Sequence, residues 1–178
     1  MPTFKTGEMF RAEGFIIVTT NSFLTSEVKL VMGRGAALQL KRKVPGIEKI
    51  FGKMIHEKCG HLGLYGLIFH ERYGAAQVKY RFNEKARFEL IRISMTMLSV
   101  VAGRDRKRIF NINFPGIGNG GINKPQVESY LKILPDNVHV WEKEGGEVYG
   151  LHPGIESEVI MYPQENSMGV RCSNDKSY

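Results

Sequence analysis

The chain has 178 residues, 42% of them hydrophobic and 24% charged, which is the size of one ordinary domain with enough apolar content to build a core. Its formal net charge is +7, unevenly placed: residues 143–178 hold three basic and six acidic side chains, a net of −3, which leaves +10 on the first 142 residues. No run of about 18 apolar residues exists to span a membrane, and two distant cysteines, Cys59 and Cys172, do not make a disulfide framework.

The opening MPTFKTGEMF lacks the charged-then-apolar pattern of a secretory signal. A soluble, cytoplasmic protein is expected. The basic balance points to an anionic partner, whether a nucleotide, a nucleic acid or an acidic protein, with surface solvation as the plain alternative.

Apolar runs bounded by glycine predict strands at 15–18, 63–69, 109–114 and 138–141. Helices are predicted between them. Residues 35–43 form a short one ending in Lys41-Arg42-Lys43, and residues 46–58 form another just after Pro45. Residues 84–102 give the clearest pattern, with Phe88, Ile91, Met95, Leu98 and Val101 at helical spacing. A fourth helix starts after Asn123, which is placed to cap it, with Gln126 three residues on and Pro125 in the first turn. Strands alternating with helices predict an α/β domain, its largely parallel sheet covered on both faces. Residues 143–178 change character and read as a C-terminal extension. Within it, 158–162 suits an edge strand and 166–178 a mobile tail; Tyr149, His152 and Tyr162 are candidates to cover a pocket, with self-association through the segment as the alternative.

Two glycine-rich loops carry the functional signal. The first, Met32-Gly33-Arg34-Gly35-Ala36-Ala37, leads into a helix, where glycine permits close approach and the first N–H groups are unpaired. The second, PGIGNGGIN at 115–123, has four glycines in six positions between a strand and a helix, a spacing suited to an anion-binding cradle of backbone N–H groups. Neither is a P-loop. Gly116, Gly118 and Gly121 spell the dinucleotide fingerprint, but late in the chain and without the acidic residue that should follow, so a Rossmann oxidoreductase is rejected. The run His56-Glu57-Lys58-Cys59-Gly60-His61 has neither HExxH spacing nor a second ligand pair, so no metal site is assigned and no cofactor is called for.

In this order, TGEMF at 6–10, Thr19-Thr20-Asn21, MGRGAALQLKRKVPG at 32–46 and PGIGNGGIN resemble the macro domain family over about residues 4–142. The similarity is greatest to the branch holding phage and bacterial macro proteins, yeast ADP-ribose-1″-phosphate phosphatase and the terminal ADP-ribose protein glycohydrolase. The resemblance implies a three-layer α/β/α macro domain over 1–142, with a mixed, largely parallel central sheet and ADP-ribose in a cleft across its top. A phage-encoded member would work in the host cytoplasm. By the same resemblance, Glu8 stands where the family usually has an aspartate that receives the adenine amino group, beside Met9. Thr20 and Asn21 would meet the distal ribose. Met32, Gly33, Arg34, Gly35 and Ala36 would pass the ribose and diphosphate. Pro115, Gly116, Ile117, Gly118, Asn119, Gly120 and Gly121 would wrap the diphosphate.

The chain also departs from that branch. Residues 22–31 are longer than usual. Gly120 stands where the glycohydrolase has an aspartate, and the nearest match to its lysine, on the strand before the long helix, is His70. The candidates for chemistry are Asn21, His70 as general acid or base, and Asn119 to orient a water or phosphate oxygen. Against these, His70 also reads as a strand-end histidine, and Asn119 as a residue that tolerates left-handed backbone. The leading expectation is a domain that binds ADP-ribose or an ADP-ribosylated substrate. Hydrolysis would make it an ADP-ribose-1″-phosphate phosphatase or ADP-ribosyl hydrolase. The alternatives are a non-catalytic reader and, third, a nucleic-acid binder using Arg34, Lys41, Arg42, Lys43, Arg104, Arg106, Lys107 and Arg108.

Overall fold

The computed structural model describes residues 1–144. The expected edge strand at 158–162, the tail, and Tyr149, His152 and Tyr162 lie outside the described residues. Among the described residues, six strands and four α-helices follow one another as β1 (Thr3–Thr6), β2 (Phe15–Thr20), α1 (Gly35–Lys43), α2 (Ile47–Cys59), β3 (Leu67–His70), β4 (Tyr73–Gln77), α3 (Phe88–Arg104), β5 (Phe110–Asn113), α4 (Lys124–Leu131) and β6 (Val138–Glu142). They form one sheet in the order β1-β6-β5-β2-β4-β3, parallel throughout except for β3, which runs antiparallel to β4.

The pleat divides the core into two layers, because successive side chains of a strand point to opposite faces. Ile16 and Val18 of β2 join Leu40 of α1 and Phe51 and Ile55 of α2 on one face. Ile17 joins Met95 and Leu98 of α3 and Val127 and Leu131 of α4 on the other. The result is the expected three-layer α/β/α sandwich with a mixed, largely parallel sheet. No helix among the described residues is long and apolar enough to cross a membrane.

Two strands went unrecognised in the sequence. β1 is fully exposed at the sheet edge, and β4, Tyr-Gly-Ala-Ala-Gln, is built from small residues. Gly74 explains why: a Cβ there would stand 2.9 Å from the Phe69 ring. The stripe on α3 is also shifted from the expected one. Phe88 and Val101 are exposed, while Leu90, Ser94 and Ala102 are buried beside Ile91, Met95 and Leu98. Asn123 does occupy the N-cap of α4, but its side chain makes no capping bond; its carbonyl accepts from the Gln126 N–H at 3.1 Å.

Candidate functional site: a cleft at the carboxyl ends of β2, β4 and β5

β2 and β5 are neighbouring parallel strands whose following helices cover opposite faces: α1 packs on one, α4 on the other. Their exit loops therefore diverge and leave a crevice, the usual place for a ligand in an open α/β sheet. The crevice here has a volume of ≈ 430 Å³. Its walls come from Thr19–Asn21, residues 31–37, Val78 and Lys79 after β4, residues 82–84, Asn113 at the end of β5, and Phe114 and residues 116–120 of the loop that follows.

One wall is the first turn of α1. Arg34 is its N-cap, and the first bond of the helix runs from the Leu38 N–H to the Arg34 carbonyl at 3.2 Å. Gly35, Ala36 and Ala37, whose N–H groups precede that bond, line the cleft at the end of the helix where its dipole favours an anion. Lys41, Arg42 and Lys43 sit at the other end of α1, where cations complement the dipole.

The opposite wall is the second glycine loop. Gly116, at φ 76°, and Gly118, at φ 64°, adopt left-handed backbone that a side chain would strain. The loop folds partly on itself: Gly120 N–H donates to Ile117 O, Gly121 N–H to Gly118 O and Ile122 N–H to Gly116 O. Its first half, Gly116 to Gly118, lines the cleft ahead of these bonds. Gly120 lines the cleft but leaves little room for a side chain, since a Cβ would lie 3.2 Å from the Ala86 methyl. That close packing is the physical counterpart of glycine in place of the aspartate.

Lys79 joins the walls. Its ammonium donates to the carbonyls of Phe82 at 3.1 Å, Glu84 at 3.2 Å and Asn119 at 3.3 Å, bridging the β4–α3 connection to the second glycine loop. Burial lowers the pKa of its amine, the nearby Glu84 carboxylate opposes this, and the Arg34 charge adds to it. Burial pushes the Glu84 carboxyl up. Hydrogen bonds from the Tyr80 and Arg81 backbone, with Arg87 alongside, outweigh it and leave the group below the ordinary carboxylate value.

Of the residues expected in the site, Thr20, Asn21, Met32, Gly33, Arg34, Gly35, Ala36, Gly116, Ile117, Gly118, Asn119 and Gly120 come together in the cleft. Asn21 is already engaged there, its Nδ2 donating to Val31 O and its Oδ1 accepting from the Phe23 N–H, both at 2.9 Å. Thr20 shares a hydrogen bond with the buried Tyr65 hydroxyl, whose pKa burial pushes up. Pro115 and Gly121 flank the loop without lining the cleft, and Glu8 is exposed beyond β1 at the same end of the sheet. Met9, with 0% exposure, is a core residue and not a ligand contact.

His70 is misplaced by the sequence reading. Because β3 is antiparallel, its last residue pairs with Tyr73, which in turn pairs with Ile16 at the start of β2. His70 thus lies at the amino end of the sheet, away from the cleft. The strand before the long helix is β4, and the lysine just past its end is Lys79. The sequence reading also missed Thr19, Val31, Ala37, Val78, Phe82, Asn83, Glu84, Asn113 and Phe114. Recognising β4 would have located the residues from 78 to 84. In the run at 56–61, the His61 imidazole is engaged structurally, its Nδ1 accepting from the Leu24 N–H at 3.0 Å.

No protein-family model matches the chain, and no curated relative matches it. Solved structures do. The chain is similar to the macrodomain of Thermus aquaticus DarG, with a TM-score of 0.61 and 23% identity over 81% of this chain and 98% of that one. The macrodomain of Mycobacterium tuberculosis DarG has a TM-score of 0.61 and 22% identity, covering 79% and 97%. Thermosipho africanus DarTG, solved in complex with ADP-ribose, has a TM-score of 0.62 and 16% identity, covering 82% of this chain and 42% of that longer one. Sheet order, layers and these likenesses agree: the chain has the macrodomain fold.

Proposed function

We propose that the cleft binds ADP-ribose or a derivative of it, with the diphosphate held between the start of α1 and the second glycine loop. The observation that carries this reading is that one cleft is lined by the first turn of α1, Gly35–Ala37, by the glycine loop at Gly116–Gly118, and by Arg34 and Lys79. Such a centre suits two linked phosphates. The volume of ≈ 430 Å³ falls within the range of nucleotide-sized pockets, and Thr19, Asn21 and Asn83 supply polar groups for a sugar. The ADP-ribose bound to Thermosipho africanus DarTG, a protein of the same fold, supports the choice of nucleotide. On this reading residues 1–142 are the binding domain, and the protein works in the cytoplasm.

We further propose that the cleft supports hydrolysis, as an ADP-ribose-1″-phosphate phosphatase or an ADP-ribosyl hydrolase. Lys79 takes the place first given to His70, because it lines the cleft just past the strand before the long helix, and burial lowers the pKa of its amine, the direction that favours base or nucleophile chemistry. Asn21 and Asn119 orient the sugar and a water or phosphate oxygen. The test offers both substrates and follows phosphate and ADP-ribose release against a Gly118→Val control. Turnover no higher than the control's removes the hydrolase. The alternative is a reader that binds without chemistry, which Gly120 in place of an acid favours.

A nucleic-acid role ranks third. Arg104, Arg106, Lys107 and Arg108 lie at the turn into β5, at the end of the sheet opposite the cleft. Two of them are paired, Arg106 with Asp136 at 2.6 Å and Arg108 with Asp105 at 3.0 Å.

A further inference from the structure

The long segment from Ser22 to Val31 folds as a pinned hairpin. Leu24 bridges Leu30, the Val31 N–H donates to Phe23 O at 3.1 Å, and the Val28 N–H returns to Thr25 O at 2.9 Å. The turn sets Val28 at φ 56°, a left-handed conformation that strains a β-branched residue and persists only where packing over-determines it. That packing is visible. The Leu30 N–H donates to Glu48 O at 2.9 Å, and the hairpin lies so close on α2 that a Cβ at Gly52 would overlap Val28 O. The Leu24 N–H reaches His61 and the Leu62 N–H reaches Ser22 O.

This hairpin positions an aromatic stack. Phe23 meets the His61 ring edge-on at 4.7 Å and the Phe82 ring edge-on at 5.2 Å. Phe82 lines the cleft with 36% of its surface exposed, in a wall otherwise polar at Asn21, Lys79, Asn83 and Glu84. Its backbone is fixed as well, since Phe82 O accepts from the Lys79 ammonium. A ring held at both its backbone and its edge, with its remaining surface open to a cleft, is preorganised for an apolar partner.

We propose that Phe82 is a specificity-determining residue that packs on the C–H face of the terminal ribose, and that Phe23 is the positioning residue behind it. This rests on the ADP-ribose reading above. The neighbouring polar groups say which part of the ligand meets the ring: Asn21 and Asn83, which suit a sugar, line the same cleft as Phe82.

The experiment compares calorimetric affinities for ADP-ribose and for ADP, which lacks the terminal ribose, in the wild type, Phe82→Ala, Phe82→Tyr and Phe23→Ala. The proposal predicts that the wild type prefers ADP-ribose. Phe82→Ala lowers that preference about five- to tenfold, the scale of one aromatic contact. Phe23→Ala lowers it less, and Phe82→Tyr keeps it. If Phe82→Ala loses its thermal transition, Phe82→Leu, which keeps bulk without the ring, takes its place with the same expected direction. An unchanged ratio, or an equal loss for both ligands, overturns the proposal while leaving the nucleotide site standing. A wild type that binds neither ligand overturns the underlying reading, and this inference with it.

Discussion

The side-chain amide of Asn113 continues the pairing of β5 with β2 where the cleft begins: its Oδ1 accepts from the Thr19 N–H and its Nδ2 donates to Thr19 Oγ1, both at 2.8 Å. The backbone register between the two strands runs from Phe15 with Phe110 to Ile17 with Ile112. Past that point the strands part, and the amide holds them at a fixed separation. Asn113→Ala leaves the Thr19 N–H without this partner in a largely buried setting. We expect a loss of about 1–3 kcal/mol in stability, read from urea unfolding, together with weaker nucleotide binding. Unchanged stability would mean that water replaces the amide at no cost.

On the proposed hydrolase reading Lys79 has two separable duties, bridging three carbonyls and supplying a reactive amine. Lys79→Arg retains the charge and the donors but cannot become neutral near physiological pH. It is expected to keep ADP-ribose affinity within about threefold while turnover falls by at least about a hundredfold, a usual scale for loss of acid–base chemistry. Lys79→Met is expected to lose both. Equal turnover in the arginine variant would assign Lys79 to structure alone.

The same residue sets a pH dependence. Burial first, then Arg34, lower its folded pKa below the ordinary lysine value of 10.5, against the pull of Glu84. The unfolded chain therefore binds more protons in the window between the lowered value and 10.5. The contribution of Lys79 to stability rises with pH across that window. On the proposed hydrolase reading, turnover is expected to rise in the same direction. A rate that falls as pH rises through this range would rule out a neutral-amine role.

Gly120 tests the missing acid. The Ala86 methyl stands 3.2 Å from where a Cβ would be, and Gly120 O accepts the Ala86 N–H at 2.7 Å, so Gly120→Asp must displace the start of the α3 connection. We expect a stability loss of about 1–3 kcal/mol from overpacking and no gain in hydrolysis. A faster, stable variant would show that the loop accepts an aspartate and that the chain lacks only that group.

The basic turn is predicted to be independent of the nucleotide. Replacing Arg104, Arg106, Lys107 and Arg108 by alanine acts at the far end of the sheet, and ADP-ribose affinity should stay within about twofold, as expected of distant sites. If the same variant abolishes a salt-sensitive affinity for RNA or DNA, the third reading gains a surface of its own.

Legibility in the sequence followed side-chain volume. β2, β5 and β6 announced themselves by large apolar residues. β4 did not, because Gly74 and Ala75 and Ala76 are small where neighbouring elements approach closely. Missing β4 had a functional consequence: the lysine expected on the strand before the long helix was sought on β3 and found only His70. On α3, Phe88 and Val101 drew attention by size, while Ser94 is buried because its hydroxyl lies 2.6 Å from Gln77 O and 3.0 Å from Gly66 O. The glycine loops were readable because glycine has few other reasons to cluster so densely. Which of their N–H groups the second loop consumes internally depends on its three-dimensional path, and no spacing rule conveys that.

The most direct test of the central claim is calorimetric titration of the protein with ADP-ribose, with AMP and ribose-5-phosphate as the two half-ligands. The two-walled cleft predicts saturable one-to-one binding of ADP-ribose, at least tenfold tighter than either half, because only the whole ligand places a diphosphate between Gly35–Ala37 and Gly116–Gly118. No binding, or equal affinity for AMP, would contradict it.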